Sequence, residues 1–188
     1  MEGSGGAAAA PGQAQSVLGP VDATDLGITL AHDHLVFDGT FMYVDPPDGA
    51  DQHLADEEIT LGNRGWVAYH WTSNHHNVSL DSEEVAVAEL TRFMAAGGRT
   101  IVDPTNLGLG RDPEPVVRIA EATGAHVILG AGYYLSGTHP ADMDDRSVDD
   151  LAAEIVSDVR VGIDGTGAKA GVIGEIGCTY PWLPNEKK

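Results

Sequence analysis

The chain has 188 residues, 42% of them hydrophobic, which is enough for one domain with a sizeable core. It carries 10 basic and 29 acidic residues, and a net charge of −19 argues against nucleic-acid and anionic-membrane partners. With a single cysteine, Cys178, and no apolar run of ~18 residues, the sequence predicts a cytoplasmic protein without an intrachain disulfide or membrane span.

The amino-terminal part of the sequence changes character near residue 15. Residues 1–15 are small and of low complexity, which predicts a disordered leader before one folded unit over residues 16–188. The apolar run Ile28–His32 predicts the first strand. A polar and aromatic stretch then extends to about residue 80, and we expect a loop there with a short helix around Asp56–Leu61. A connection of this length is often functional.

From residue 82 onward, helical and strand patterns alternate. Asp81 with Glu84, Asp112 before Pro113, and Ser147 with Asp150 are typical helix starts. Helices are therefore predicted over residues 82–96, over residues 113–123 and from residue 147, and strands over Thr100–Val102, His126–Gly132 and Ala170–Gly177. This order predicts βα units around a parallel sheet.

The triplet His32-Asp33-His34 follows the first predicted strand. Residues two apart in a strand point to the same face, so the two imidazoles lie side by side and Asp33 points away. Two neutral imidazoles supply half of a transition-metal site, and nitrogen ligands suit zinc. Histidines that only form hydrogen bonds are the alternative.

Glu175 lies within the apolar run Ala170–Gly177. A carboxylate there is costly to bury unless it is paired, protonated or bound to metal. In parallel α/β folds the carboxyl ends of the strands carry ligand sites, so we expect Glu175 to meet His32 and His34 and share a cation with them. The alternative is that it accepts hydrogen bonds from backbone groups or from an arginine.

Other polar side chains near the predicted strand ends are weaker candidates. Asp103, Tyr133 and Tyr134 are candidates for lining a substrate pocket. Asp103 could instead end its strand and cap a turn, and the tyrosines could pack as ordinary aromatic residues. The sequence contains no GxxxxGK[ST] loop and no G-x-S-x-G elbow, so it offers no anchor for nucleotide binding or for a serine hydrolase.

Two segments carry a family resemblance. Thr29-Leu-Ala-His-Asp-His-Leu35 and Gly171-Val-Ile-Gly-Glu-Ile-Gly-Cys178 resemble the phosphotriesterase family of the amidohydrolase superfamily, most closely its phosphotriesterase-related members. The resemblance covers residues 15–183. Further matching segments are Val17-Leu-Gly-Pro20, Ala95-Ala-Gly-Gly98, Ala131-Gly-Tyr133 and Ile163-Asp-Gly-Thr166.

The resemblance implies an α/β fold, a (β/α)₈ TIM barrel with two divalent metal ions, usually zinc, at its carboxyl face. It implies that His32 and His34 bind the more buried ion. Glu175 would bridge both ions, where phosphotriesterases proper have a carbamylated lysine. Asp33 stands where the family usually has glutamate, and because it should point away from the metals we expect little consequence.

The family pattern continues for four more βα units, which supply two further histidines and a late aspartate as metal ligands. This sequence ends at Lys188, soon after the fourth predicted strand. We therefore expect a partial barrel over residues 16–188, roughly the first four βα units, with an incomplete metal shell and little turnover. Its open sheet edges would favour a homo-oligomer or a complementing partner.

The resemblance implies a metal-dependent hydrolase of a small-molecule substrate. A metal-activated hydroxide would attack a phosphoester, lactone or amide centre. One alternative is an amidase acting on small N-acyl compounds. Another is a non-catalytic chain, either truncated or a subunit completed by a partner.

Overall fold

A computed structural model describes residues 9–188. Short strands and four α-helices alternate along this part of the chain, with 3₁₀ turns between them. The elements are β1 (Gln13–Ser16), β2 (Gly19–Asp22), β3 (Ile28–Leu30), β4 (Phe37–Asp38), α1 (Arg64–Tyr69), β5 (Ser79–Leu80), α2 (Glu83–Ala95), β6 (Gly98–Asp103), α3 (Pro113–Thr123), β7 (His126–Ala131), α4 (Val148–Arg160) and β8 (Val172–Ile173).

The main sheet is parallel, as the sequence predicts. In the described part of the chain its strand order is β3-β6-β7-β8, and α2, α3 and α4 lie in the connections between these strands. This arrangement is a partial (β/α)₈ barrel of four parallel strands joined by three helical connections. The carboxyl ends of all four strands therefore meet at one end of the sheet.

Local capping explains where the three long helices begin. The side chain of Ser82 accepts a hydrogen bond from the Val85 N–H, and Asp112 accepts one from Glu114 at the start of α3. Ser147 and Asp150 form a reciprocal capping box at the start of α4. The helix starts predicted at Asp112 and Ser147 are confirmed, and α2 starts within one residue of its predicted position.

The core lies between the sheet and its helices. Apolar side chains of β6 and β7 pack against α2 and α3, and the buried group includes Leu90, Ile101, Val116, Ile119, Val127 and Leu129. No helix in residues 9–188 is long and apolar enough to span a lipid bilayer. The edge strands differ from this core, because Ile28 and Ile173 are each more than 60% exposed.

The hairpin of β1 and β2 packs against the sheet. The Val17 N–H donates to the carbonyl of Val127, near the start of β7, at 2.8 Å. A side chain at Gly171 would meet the Gln15 carbonyl at 2.0 Å, so this contact requires glycine. The hairpin therefore covers the amino end of the sheet, opposite the end at which the candidate site lies.

The leader and the long connection differ from their predictions. Residues 1–8 of the predicted leader lie outside the described residues, and its predicted boundary at residue 15 falls inside β1. The helix expected over Asp56–Leu61 is absent, and the structure has a 3₁₀ helix over Gly49–Ala55 and α1 instead. Asn63 explains this, since its side chain accepts from the Thr60 N–H and donates to the Glu58 carbonyl, which stabilises a turn.

A buried ion pair joins the loop before α3 to α4. The Arg111 guanidinium donates to the Asp158 carboxylate at 2.7 Å and to the Gly130 carbonyl at 3.1 Å. Burial raises the pKa of Asp158, and the hydrogen bond and charge of Arg111 partly oppose that shift. Both side chains are almost completely buried, so loss of Arg111 leaves the Asp158 charge buried without its cation, and loss of Asp158 leaves Arg111 with only the longer 3.4 Å contact to the half-exposed Asp164.

We predict that Arg111→Met or Asp158→Leu alone lowers the free energy of unfolding by about 3–5 kcal/mol. The double variant should lose less than the sum of the two, because no buried charge is left unpaired. Urea titration followed by circular dichroism measures all three. Arg92→Met, at an exposed pair with Glu89, is the control and should change stability by less than about 1 kcal/mol. Additive losses would show that the pair is not coupled.

Candidate metal centre

Three predicted ligand residues lie together at the carboxyl end of the sheet. His32 and His34 follow β3, and Glu175 follows β8. One ligand atom from each lies within 4.8 Å of the others. The edge strands thus bring together residues more than 140 positions apart in the sequence.

The carboxylate of Glu175 faces both imidazoles. Its Oε2 lies 3.4 Å from His32 Nε2, and its Oε1 lies 3.5 Å from His34 Nε2. The two imidazole rings are 5.3 Å apart and nearly perpendicular. The His32 side chain is 53% exposed, compared with 21% for His34 and 27% for Glu175, so the cluster opens to solvent on the His32 side.

The donor set fits a divalent metal of the zinc type. Zinc binds imidazole nitrogen and carboxylate oxygen at about 2.0–2.2 Å, and a tetrahedral angle then separates neighbouring ligand atoms by about 3.3 Å. The nitrogen–oxygen distances of 3.4 and 3.5 Å are close to that separation. Two imidazoles and one carboxylate are also ligand types that zinc accepts.

His34 is supported from behind by two residues at the end of β6. Its Nδ1 lies 2.8 Å from Thr105 Oγ1 and 3.6 Å from Asp103 Oδ1. Burial lowers the pKa of His34, but its interaction with Asp103 and the charges of Asp103, Glu175 and Asp33 raise the pKa above its ordinary value overall. The surroundings of His34 therefore carry a strong negative potential, which favours a cation.

Asp103 matches the alternative given for it, since it ends β6 and caps the turn that follows. Its side chain is fully buried, and its carboxylate accepts the backbone N–H groups of Leu35 and Thr105. It therefore lies behind His34, at the base of the site. The contact with Leu35 also ties the segment after β3 to β6.

Backbone contacts fix the position of Glu175. The chain leaves β8 at Gly174, whose φ of +135° favours glycine, so the strand is shorter than the predicted Ala170–Gly177. The Glu175 N–H donates to the Pro104 carbonyl at 2.8 Å, and the Glu175 carbonyl accepts from the Asn106 side chain. The loop after β6 thus holds the residue whose carboxylate faces the histidines.

The two tyrosines after β7 lie in different surroundings. Burial, with a smaller contribution from the charge of Glu175, raises the pKa of Tyr134. Tyr133 packs with Met143 and Leu151, and burial together with Glu154 raises its pKa to about 12. Both rings border a cleft of about 230 Å³ next to α4, which the segment directly after Glu175 also lines.

Thr105 and Asn106 are site residues that the sequence reasoning missed. Both are almost completely buried, and they support His34 and Glu175 respectively. A usable signal was present, since the polar run Asp103–Asn106 directly follows a buried strand. In a parallel α/β fold such a run lies at the ligand-binding end of the sheet.

Comparisons with known proteins agree with this geometry. A family model described as "Phosphotriesterase family" matches residues 12–188. The chain is 41% identical over 180 residues to a phosphotriesterase-related protein of Nematostella vectensis. It is 40% identical over 178 residues to an N-acetyltaurine hydrolase of Rattus norvegicus. Each match covers 94% of this chain and 51% of the relative.

A solved structure gives the same result. The crystal structure of a resiniferatoxin-binding protein from Rhodobacter sphaeroides superposes with a TM-score of 0.90 and 40% identity. That match covers 94% of this chain and 49% of the other. The chain thus spans about half the length of the relatives it matches.

We predict that Gly130→Ala disturbs the segment that carries Glu175. An added Cβ would lie 2.1 Å from the Gly174 carbonyl oxygen, so we expect a loss of about 1–3 kcal/mol in the free energy of unfolding, measured in urea. Gly65→Ala is the control, because its Cβ would have no atom within 4 Å. Equal stability of the two variants would show that the close approach at Gly130 is unimportant.

Proposed function

The chain belongs to the phosphotriesterase family, and on that basis we propose that His32, His34 and Glu175 hold divalent metal, with zinc as the preferred ion. The observation that carries the proposal is the approach of both Glu175 oxygens to the two Nε2 atoms at 3.4–3.5 Å. In the two-metal arrangement that the family resemblance implies, Glu175 is the ligand shared by both ions.

We propose that the site serves hydrolysis of a small molecule. A bound divalent cation supplies Lewis acidity, which polarises a scissile carbonyl or phosphoryl group and makes water nucleophilic near neutral pH. Glu175 holds negative charge between the imidazoles, and His34 is fixed by its contact with Thr105. His32 forms the solvent-facing wall, and Tyr134 borders the site on the side of β7.

An N-acyl amide is the substrate class we favour. Several relatives that are 38–40% identical over 178 residues are named N-acetyltaurine hydrolase, and this supports the amidase alternative over a phosphotriester substrate. Lactones are the second class, since a structural relative from Deinococcus radiodurans that is 26% identical is described as a mutant of a PTE-like lactonase. The half-length match makes both classes proposals for this chain.

The open sheet edges support a further part of the proposal. β3 and β8 are the edge strands of the main sheet in the described residues, and both carry exposed isoleucines. TIM barrels close such edges by pairing with further strands. We propose that these two edges pair with additional βα units, whether these belong to the same protein, to a partner or to a second copy.

We predict that this chain binds Zn²⁺ and that Glu175→Gln weakens the binding at least about 100-fold, more than the loss of an outer-shell partner typically costs. Competition with a chromophoric chelator measures the affinity. Glu57→Gln is the matched control, since Glu57 lies 3.9 Å from His53 on an exposed surface outside the cluster. Equal affinities of wild type and Glu175→Gln would contradict the proposed ligand.

We predict amide hydrolysis when the sheet is completed. This chain can be fused through Lys188 to the remaining part of the Nematostella relative and assayed with N-acetyltaurine, a lactone and a phosphotriester. We expect chelator-sensitive hydrolysis, fastest with the amide and reduced at least about 100-fold by Glu175→Gln. Faster turnover of the phosphotriester would overturn the substrate class. A folded, zinc-loaded fusion without hydrolysis would favour the non-catalytic alternative.

A further inference from the structure

The hydrogen bonds around Asp103 determine which way the neighbouring protons point. Asp103 Oδ2 accepts the Leu35 N–H at 3.1 Å, and Oδ1 accepts the Thr105 N–H at 3.0 Å. The Thr105 hydroxyl lies 2.5 Å from the same Oδ1. An ionised carboxylate only accepts hydrogen bonds, so the single hydroxyl proton of Thr105 is donated to Asp103.

This arrangement sets the tautomer of His34. Because the Thr105 proton is used by Asp103, the hydroxyl oxygen has only lone pairs to offer to His34 Nδ1, which lies 2.8 Å away. The neutral imidazole therefore carries its proton on Nδ1 and donates it to Thr105 at 2.8 Å, a much shorter contact than the 3.5 Å between Nε2 and Glu175 Oε1. Its Nε2 then has a free lone pair, on the side facing Glu175.

We propose that Thr105 is a positioning residue that relays the negative charge of Asp103 to His34 and keeps His34 Nε2 unprotonated for a cation. This inference rests on the proposed metal-binding function and deepens it. Metal-binding histidines usually donate their second N–H directly to a carboxylate, a carbonyl or water. Here the Thr105 hydroxyl lies between His34 and the Asp103 carboxylate, since His34 Nδ1 is 3.6 Å from Asp103 Oδ1 but 2.8 Å from Thr105 Oγ1.

Burial makes this relay rigid. Asp103 and Thr105 are almost completely buried; Asp103 ends β6, which is paired on both sides, and Thr105 lies two residues beyond it. A threonine hydroxyl in such a place cannot turn to water for an alternative partner. Loss of the hydroxyl would leave the His34 Nδ1–H facing a gap before the carboxylate, and the ring could then rotate or change tautomer.

Three variants separate the relay from simple packing. Thr105→Val replaces the hydroxyl with a methyl group of similar size, whereas Thr105→Ser keeps the hydroxyl. Thr100→Val is the matched control, because Thr100 is also buried on β6 and its hydroxyl donates to the Leu26 carbonyl at 2.6 Å. Circular dichroism and urea titration report whether each variant folds.

The first readout is the tautomer of His34 in the metal-free chain, determined from long-range ¹H–¹⁵N spectra at a pH where the imidazole is neutral. We expect the proton on Nδ1 in the wild type, in Thr105→Ser and in Thr100→Val. In Thr105→Val we expect a shift toward the Nε2–H form. A wild-type chain with the proton on Nε2 would overturn the proposal, and this measurement does not depend on the folding of any variant.

The second readout is Zn²⁺ affinity by chelator competition. We expect Thr105→Val to lose about 10–100-fold, with Thr105→Ser and Thr100→Val close to the wild type. Equal losses in Thr105→Val and Thr105→Ser, or in Thr105→Val and Thr100→Val, would overturn a role of the hydroxyl. A wild-type chain with the expected tautomer but no zinc binding would contradict the proposed function and leave the proton arrangement intact.

Discussion

The candidate site depends on one backbone hydrogen bond, from the Glu175 N–H to the Pro104 carbonyl. It forms where the chain leaves β8 at Gly174 and crosses to the end of β6, and the Asn106 side chain holds the same segment through the Glu175 carbonyl. Gly130 permits the crossing, because a side chain there would occupy the place of the Gly174 carbonyl. Without this contact, Glu175 would continue along an exposed edge strand, away from the histidines.

Negative charge acts at two different ranges in this molecule. The net charge of −19 lies mostly on exposed acidic residues, such as the capping acids of the helices, and it favours cations at long range. Asp103 is the contrasting case, because its buried carboxylate is held by backbone N–H groups and a hydroxyl. Its charge acts on His34 at short range, where burial keeps water from screening it.

The features predicted correctly from the sequence are those that depend on residues close together in the chain. The capping residues Asp112 and Ser147 set the starts of their helices, and the apolar runs predicted the order of the parallel strands. The early end of β8 was not predictable, because it depends on Pro104, about 70 positions away. The Arg111–Asp158 pair is similar, since its partners are 47 residues apart and only the packing of α4 brings them together.

The three metal-facing residues differ in how firmly the described fold holds them. His34 is braced by Asp103, the last residue of β6, and by Thr105 just after it, and β6 is paired on both sides. His32 follows β3 and Glu175 follows β8, and each of these strands is paired on one side in the described residues. Strands added at the two edges would order His32 and Glu175, so strand pairing and cation binding must favour each other by linkage. Because the His34 imidazole is already held by contacts at the end of β6, it needs no further ordering when added strands pair and a cation binds.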